Sequence, residues 1–370
     1  MKKTVVTLAL ISLQLFADEG ASDISMNRQI GWGGSEKNSE IKSEPKVEWA
    51  KTFCNNEATF KMKAEYLHWA TNFNLPYMLS SRENESQTQD GNDTFITKIT
   101  SLNMVRAPLK WSSGARGTLG YHSQCDHLDV QAIYTYYQNK IHGSQSGDNA
   151  KFANSFLSGQ FLDGSIGAQG HLKLTYNVGD LELGKTFFSQ TTKALFRPFI
   201  ALRGGWLDQG HGVKYTGVEK IDLGSGNVIN YPAATSLVLD QDVWCIGPRI
   251  GIDMSWLGFR GFSLMVNFST SLLYGKAHQK LAMNIDDAYE NSPGINYETD
   301  NIIGRDKFMV LSPQLQGFIG LQWERCIENR CSVKLFAGWE ANYWWEVSNV
   351  LFFNRPLSMQ GLTAGLSFNF

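Results

Sequence analysis

The charged residues that could do chemistry in this sequence lie at every second position of otherwise apolar segments. Lys61, Lys63 and Glu65, for example, alternate with aromatic and aliphatic residues. Burying such a charged face is costly unless the charges are paired or hydrated. The pattern therefore predicts either a plugged interior held by ion pairs or a narrow water-filled channel. The residues that we expect to line this interior are Lys61, Lys63, Arg116, Asp129, Arg197, Arg203, Arg249, Asp253, Glu324, Lys334, Glu340 and Glu346.

The sequence gives weaker evidence for a catalytic or metal-binding site than for a charged interior. The seven histidines are scattered, and no Gly-x-Ser-x-Gly motif is present to support a hydrolase. His122, Cys125 and His127 offer too few ligands for a metal site. Asp286 and Asp287 are explained better by a solvated or weakly calcium-binding loop. We expect no catalytic residue, no metal and no cofactor.

The charged positions are carried by segments with a period of two, which is the pattern of half-buried β-strands. Roughly ten such segments follow one another between Ala58 and Phe370. The alternating residues 95–100, in the first long connection, could add strands and raise the count to twelve or more. Near Gly179 and Asp180 the apolar positions change phase by one residue, and we interpret this change as a β-bulge.

The connections between these segments alternate between long and short. Transmembrane barrels have this organisation, with short periplasmic turns and long extracellular loops. We therefore predict an all-β transmembrane antiparallel up-and-down β-barrel of about 10–12 strands over residues 58–370. A soluble β-sandwich is the alternative, but nothing in a sandwich requires alternating loop lengths. The predicted connections are 71–110, 123–126, 139–169, 189–193, 208–242, 256–260, 276–306, 325–331 and 347–357.

Aromatic residues near the segment ends also favour a membrane location. Trp111 and Tyr121 lie on one face ten residues apart, which corresponds to roughly 25 Å across a tilted strand, the height of a lipid-facing band. The last segment ends in Leu366, Phe368 and Phe370, which is the pattern that the barrel-insertion machinery of outer membranes recognises. We expect these three residues to act as the insertion signal.

The first residues predict export. Residues 1–17 combine a basic start, an apolar stretch and Ala17, as a secretory signal peptide does, although Leu15 departs from the usual small residue. Residues 18–57 are polar and predict a flexible periplasmic N-terminal arm. The net charge of −2 offers no field for nucleic acid. The predicted location is the cell outer membrane, in contact with its lipid.

Four of the five cysteines fall on the predicted periplasmic side, which is oxidising. Cys326 and Cys331 flank a short turn and are candidates for a local disulfide. Cys54 and Cys125 lack a close partner in sequence, so the alternative is cross-linking to other envelope proteins. Cys245 is predicted to face the lumen as a free thiol.

Several sequence blocks, in order, resemble the pore-forming outer membrane proteins of Legionella and of chlamydia-related bacteria, which are described as major-outer-membrane-protein-like. The resemblance covers about residues 58–370 and implies a barrel with pore activity and no catalytic motif. It makes a porin-like channel for small hydrophilic solutes or ions the expected function, as a monomer or a homo-oligomer. A non-conducting structural barrel or adhesin is the alternative, because ten strands are few for a general porin. The blocks are 64–69, 117–121, 180–185, 197–204, 247–251, 271–275, 321–324 and 338–340.

Overall fold

The computed structural model describes residues 60–72, 76–90, 93–106, 109–123, 127–146, 151–153, 165–189, 191–222, 228–291, 294–327, 331–350 and 353–370. The predicted signal peptide and N-terminal arm lie outside these residues. Within them, no helix is long and apolar enough to cross a membrane. The chain forms strands β1 (Phe60–Asn72), β2 (Pro76–Asp90), β3 (Asp93–Arg106), β4 (Lys110–His122), β5 (Leu128–Ser146), β6 (Lys151–Ala153), β7 (Ser165–Lys185), β8 (Phe187–Ser189), β9 (Ala194–Asp222), β10 (Val228–Leu257), β11 (Phe262–Asn291), β12 (Gly294–Ile327), β13 (Cys331–Val350) and β14 (Phe353–Asn369).

Ten of these strands close into an antiparallel barrel. Their order around the barrel is β1, β4, β5, β7, β9, β10, β11, β12, β13 and β14, and β14 pairs with β1 to complete the ring. The short strand β8 extends the hairpin between β7 and β9. Strands β2, β3 and β6 form a separate three-stranded sheet. The predicted barrel is confirmed, and the extra strands predicted in the first long connection exist without joining it.

One end of the barrel carries tight turns. The backbone nitrogen of Gly258 donates to the carbonyl of Phe262 over 2.8 Å, and that of Ser123 donates to Leu128 over 2.7 Å. Gly261 has a φ of 85°, in the left-handed region that glycine adopts without steric cost. By the rule that short turns are periplasmic in outer-membrane barrels, we call this end the inner end.

At the opposite, outer end the strands are longer than the sequence predicts. The segments 208–242 and 276–306 were expected to be loops, but β9 and β10 pair as far as Asp222 and Val228. Strands β11 and β12 likewise pair as far as Asn291 and Gly294. Asp286 and Asp287 therefore lie in a strand and not in a loop. The predicted alternation of loop length is largely an alternation between short turns and protruding hairpins.

The outward face of the barrel is apolar only in its inner part. Ile200, Ile250 and Leu321 are 61%, 47% and 63% exposed and face outward between two sets of aromatic residues. These aromatic sets match the girdles that mark the two membrane interfaces. Beyond the outer girdle most outward residues are polar, such as Lys276 and Lys280, although Ile303 is 63% exposed there. The inner girdle contains Phe60, Tyr121, Phe187, Phe262 and Phe370, and the outer girdle contains Trp111, Tyr136, Trp206, Trp244, Tyr274 and Trp339.

At about the same height along the barrel, the inward face changes from polar to apolar. Near the inner end the buried inward residues are charged or polar, such as Arg203 and Glu340. Toward the outer end they are mostly apolar, such as Leu207, Leu239 and Val243, with a few buried polar residues such as Gln209 and His211 among them. The barrel therefore has a polar interior where it faces lipid. It has an apolar interior, like a water-soluble protein, where it protrudes.

The apparent phase change near Gly179 follows from this inversion. Leu174, Tyr176 and Val178 point inward toward the outer end, whereas Leu181 and Leu183 point outward. The pairing of β7 with β5 and β9 continues through this point without a register shift. The predicted bulge is therefore wrong, because the apolar residues change face while the strand stays regular.

Candidate functional site

The interior of the barrel is the candidate site, and it contains nearly all of the residues predicted to line it. Glu346 departs from the pattern: it is exposed, has a φ of 53°, and lies in the irregularity between Trp344 and Ser348. There the period of two is broken, so alternation no longer assigns its face. The inward residues are Lys61, Lys63, Arg116, Asp129, Arg197, Arg203, Arg249, Asp253, Glu324, Lys334 and Glu340.

Arg197 is surrounded by carboxylates near the inner end. Its guanidinium lies 2.5 Å from Asp129, 2.8 Å from Asp253 and 3.0 Å from Glu182. The Asp253 carboxylate also accepts a hydrogen bond from Asn267. This arginine is therefore held by acids from three other strands, which fixes its position in the barrel wall.

Arg203 and Arg249 continue this cluster toward the middle of the lumen. Arg203 makes a bidentate pair with Asp180, with nitrogen-to-oxygen distances of 2.6 and 2.8 Å. Arg249 lies 2.5 Å from Glu182 and 3.4 Å from Asp180. The sequence did not single out Asp180 and Glu182, because the presumed bulge obscured the face on which they lie.

Two further contacts cross the lumen. From β4, Arg116 pairs with Glu340 on β13 over 2.7 Å and with Glu65 over 3.0 Å. From β9, Arg203 donates to Gln314 and Gln316 on β12 over 2.6 and 3.0 Å. In each case three strand steps around the ring separate the two partners. Side chains therefore span the barrel at this level.

A cavity of about 280 Å³ lies among these charged residues. Its lining contains seven Lys or Arg and six Asp or Glu side chains. The basic residues Lys63 and Lys334 pair with Glu65 and Glu324 over 2.5 and 3.3 Å. Because acids accompany the arginines on the same wall, the positive and negative charges of the lumen are mixed and are not separated onto opposite walls.

The outer half of the lumen is closed by apolar side chains. Tyr176 on β7 and Trp344 on β13 come from opposite sides of the ring, and their ring centroids are 5.7 Å apart with an edge-to-face angle of 86°. Gly205 on β9 faces Trp344 across the lumen, and a Cβ atom at Gly205 would be 3.4 Å from the indole. The buried apolar cluster is Leu67, Trp69, Tyr137, Ile141, Leu172, Leu174, Tyr176, Val178, Leu207, Leu239, Val243, Cys245, Leu273, Ala277, Val310, Trp344, Val347, Leu357 and Met359.

The cysteines do not form the predicted local bond. Cys326 is opposite Ser332 in the β12–β13 ladder, and Cys331 is opposite Ile327. Successive residues of a strand face opposite sides, so the two cysteines lie on different faces. Cys326 is disulfide-bonded, and Cys331 is not its partner. Cys245 is buried in the apolar cluster as a free thiol, and Cys54 and Cys125 lie outside the described residues.

The predicted insertion signal lies on β14 and at its end. Phe368 and Phe370 face outward and are 40% and 51% exposed, whereas Leu366 is half-buried. The Phe370 ring stacks on Phe60 with a centroid distance of 6.2 Å. The backbones of these two residues also exchange hydrogen bonds of 2.9 and 3.0 Å. The terminal aromatic residue therefore lies at the seam of the barrel.

The rival catalytic and metal sites gain no support from the described part of the chain. No group of three or more His, Cys, Asp or Glu side chains there could hold a metal ion. His122 and His127 approach each other, with ring centroids 6.2 Å apart, but Cys125 lies outside the described residues.

A closed antiparallel barrel with a lipid-facing apolar band, two aromatic girdles and a polar interior defines an outer-membrane β-barrel protein. Residues 52–370 match the family described as the Legionella pneumophila major outer membrane protein precursor. The chain belongs to this family, and its location is the outer membrane. No relative was found among the curated proteins.

Several solved outer-membrane structures are similar to the chain at low identity. The outer membrane protease OmpT from Escherichia coli is 11% identical, with 86% of this chain and 98% of that chain covered and a TM-score of 0.33. The toluene transporter TodX of Pseudomonas putida is 5% identical, with 84% and 90% covered and a TM-score of 0.25. A Pseudomonas aeruginosa FadL homologue is 9% identical, with 85% and 92% covered and a TM-score of 0.26.

Proposed function

We propose that the protein is a structural outer-membrane barrel whose lumen is closed at rest and whose protruding hairpins face the cell exterior. The observation that carries this proposal is the apolar cluster across the outer half of the lumen. Tyr176 and Trp344 touch from opposite walls, and both are at most 2% exposed. Fully burying one large apolar side chain is worth about 1.5–3 kcal/mol, so opening this cluster would cost many such contributions.

Recordings from the refolded wild-type protein in planar bilayers test this proposal. We expect no steady conductance steps above those of a protein-free bilayer containing the same detergent. Reproducible steps of one size from correctly folded protein would contradict a closed lumen.

The second candidate is a porin-like channel for small ions or solutes, and the charged inner half favours it. A purely structural barrel could fill this region with apolar side chains, as the outer half does. Here a cavity of about 280 Å³ is lined by charged groups instead. Arg197 and Arg249 each approach more than one carboxylate, so pairings can be exchanged as an ion passes.

If the wild-type protein conducts ions, the charge selectivity of its conductance tests this second candidate. Changing Arg203 and Arg249 together to Gln should then shift the reversal potential in a salt gradient toward cation preference. The matched control changes the outward Ile200 and Ile250 to Leu and should leave the potential unchanged. An unchanged potential in a conducting Arg double variant would place the ion path elsewhere.

We also propose that the protein is not an enzyme. The described interior contains ion pairs whose acids and bases neutralise one another, and this arrangement supports a structural role for them. Detergent-extracted protein should hydrolyse neither peptides nor phospholipids above a heat-denatured control. Turnover that co-purifies with the folded barrel would overturn this part of the proposal.

We infer that Phe370 is required for assembly through the insertion machinery of the outer membrane. Phe370→Ser should leave export intact and lower the amount of heat-modifiable barrel in the outer membrane. Phe259→Ser is a suitable control, because Phe259 is a 74% exposed aromatic residue in an inner turn away from the seam. Equal barrel yields from both variants would contradict the inference.

A further inference from the structure

An unusual set of basic residues lies on the outward face of the barrel just beyond the outer girdle. Lys140 on β5 is directly opposite Lys173 on β7, and His142 is directly opposite His171. All four residues are exposed, as is Lys214 on the adjacent strand β9. We call these five residues the basic cleft.

The pairing within the basic cleft is unfavourable without a ligand. Residues directly opposite in an antiparallel ladder have Cβ atoms about 4.5–5.5 Å apart, and like charges there are destabilising. Lys140 and Lys173 form such a pair, and the His142 and His171 rings next to them lie 6.4 Å apart. An anion bound between the two strands would remove the repulsion.

The acidic residues nearest to the basic cleft lie on β10, next to β9. On β10, Asp240 is opposite Gly210 of β9, and Asp242 is opposite Asp208. The same two β10 residues are also opposite basic partners on β11, where Asp240 is opposite Lys280 and Asp242 is opposite His278. Asp240 also approaches Lys173, because a Cβ atom at Gly210 between them would lie 3.3 Å from the Asp240 carboxylate and 3.6 Å from the Lys173 Cβ. Lys140, His142 and His171 have no acidic ladder partner, so the uncompensated basic groups lie mainly on β5 and β7.

A cavity of about 570 Å³ opens beside the two imidazoles and Lys214, one step along the ladder from the Lys140 and Lys173 pair, which does not line it. Gly212 makes room for the His171 ring at the edge of this cavity, because a Cβ atom at Gly212 would collide with that ring. Lysine ammonium groups, imidazole nitrogens, hydroxyls and a side-chain amide all offer hydrogen-bond donors, which suit phosphate oxygens. The side chains that line the cavity include His142, Ser144, Gln169, His171, Lys214 and Ser236.

The height of the cleft identifies the source of the phosphate. Tyr136 belongs to the outer girdle, and Lys140 follows it by four residues on the same strand. This separation is about 13 Å along the strand, or roughly 10 Å along the membrane normal for a strand tilted by about 40°. The cleft therefore lies in the headgroup layer of the outer leaflet, which in Gram-negative outer membranes consists of phosphorylated glycolipid.

We propose that the basic cleft binds a phosphate group on the headgroup of an outer-leaflet phosphorylated glycolipid. The Lys140 and Lys173 pair supplies the charge that the phosphate neutralises. The imidazoles and Lys214 supply further donors around it. The acyl chains of the same lipid then lie against the apolar outward face below Tyr136.

Native mass spectrometry of the folded barrel in detergent tests this assignment with two probes. These are diphosphorylated lipid A and the same lipid A with both phosphates removed. Wild-type protein should bind the diphosphorylated form at least about tenfold more tightly, as expected for charge-assisted hydrogen bonds. The double variant Lys140→Gln/Lys173→Gln should lose this preference.

The matched control removes two exposed lysines at the inner end, Lys185→Gln/Lys193→Gln, and should keep the wild-type preference. Folding of each variant is checked by heat-modifiable migration on gels, and Lys214→Gln serves as a second test variant if the double variant does not fold. Equal binding of the two lipids by the wild type would overturn the proposal, as would an unchanged preference in the folded test variants. Complete displacement of lipid A by millimolar inorganic phosphate would assign the cleft to free anions and overturn the lipid assignment.

Discussion

The inner half of the lumen contains arginines and carboxylates, whereas the outer half contains aliphatic and aromatic side chains. The difference follows the surroundings of the wall. Where the outward face is apolar and meets lipid, the inward face is polar. Where the outward face is polar and meets water, the inward face is apolar. The same ten strands therefore carry two opposite patterns, one above the other.

The two halves should respond differently to the loss of one side chain, and the largest effect is expected in the charged half. Glu340 is 0% exposed and accepts hydrogen bonds from Arg116, Gln316, Asn342 and Thr363. Glu340→Ala should lower the free energy of unfolding by about 3–5 kcal/mol, because it leaves a buried guanidinium partly uncompensated. Urea unfolding of the refolded barrel measures this change.

The control for this substitution is a second carboxylate, Glu324, which lies closer to the inner end of the barrel. Glu324→Ala breaks a pair with Lys334, whose side chain is 27% exposed. Water can solvate that ammonium group, so the loss should be no more than about 1 kcal/mol. Equal losses at Glu340 and Glu324 would show that the charged half is hydrated throughout and is not a buried network.

In the apolar half, Trp344→Ala should cost about 3–5 kcal/mol, because it leaves a cavity in a packed cluster. Trp339→Ala, five residues earlier on β13, removes an outward indole that is 45% exposed and contacts Trp111 at its edge. That loss should be no more than about 1.5 kcal/mol. Urea unfolding midpoints compare the two variants. A smaller effect at Trp344 than at Trp339 would contradict a packed closure.

Two outward positions on β10 compare how much a new charge destabilises the barrel inside and outside the lipid-facing band. Ile250 faces outward between the girdles, and Val238 faces outward beyond the outer girdle on the same strand. Ile250→Lys should cost about 2–4 kcal/mol, because it places a charge at lipid depth. Val238→Lys should change stability by no more than about 1 kcal/mol, because Val238 is only half-buried and an ammonium group there can reach water. Similar costs at both positions would mean that the bilayer extends further up β10.

The smallest expected effect concerns the thiol in the apolar half. Cys245 is 1% exposed, so a maleimide reagent should label it only after unfolding. Comparison with Cys245→Ser separates its signal from that of the other cysteines. Rapid labelling in the folded protein would show that solvent reaches the outer half of the lumen.

The sequence predicted the barrel because lipid imposes a regular apolar stripe on one face of each strand. It also placed Arg197, Arg203 and Arg249 inside, since each alternates with outward apolar residues. It failed above the membrane, where the apolar stripe moves to the inward face and the pattern no longer resembles a transmembrane strand. For this reason segments such as 208–242 were predicted as loops, and Tyr176 and Trp344 were not recognised as the closure.

Side-chain contacts between strands that are not neighbours in the barrel could not be predicted from the sequence either. The contact between Arg116 and Glu340 depends on the curvature of the ring and on its exact register, which one alternating pattern does not specify. The register also decides the cysteine chemistry, since a shift of one residue would have placed Cys326 and Cys331 on the same face.

The seam between β1 and β14 has a consequence for the order of assembly. Lys61 pairs with Asn369 and Asn72 pairs with Ser358, so the first and last barrel strands in chain order depend on each other. Until β14 arrives, β1 and β13 each present an unpaired edge, which is prone to join the edges of other chains. Contacts of such large sequence separation also make folding slow. A chain that lacks β14 is therefore expected to aggregate as an open sheet.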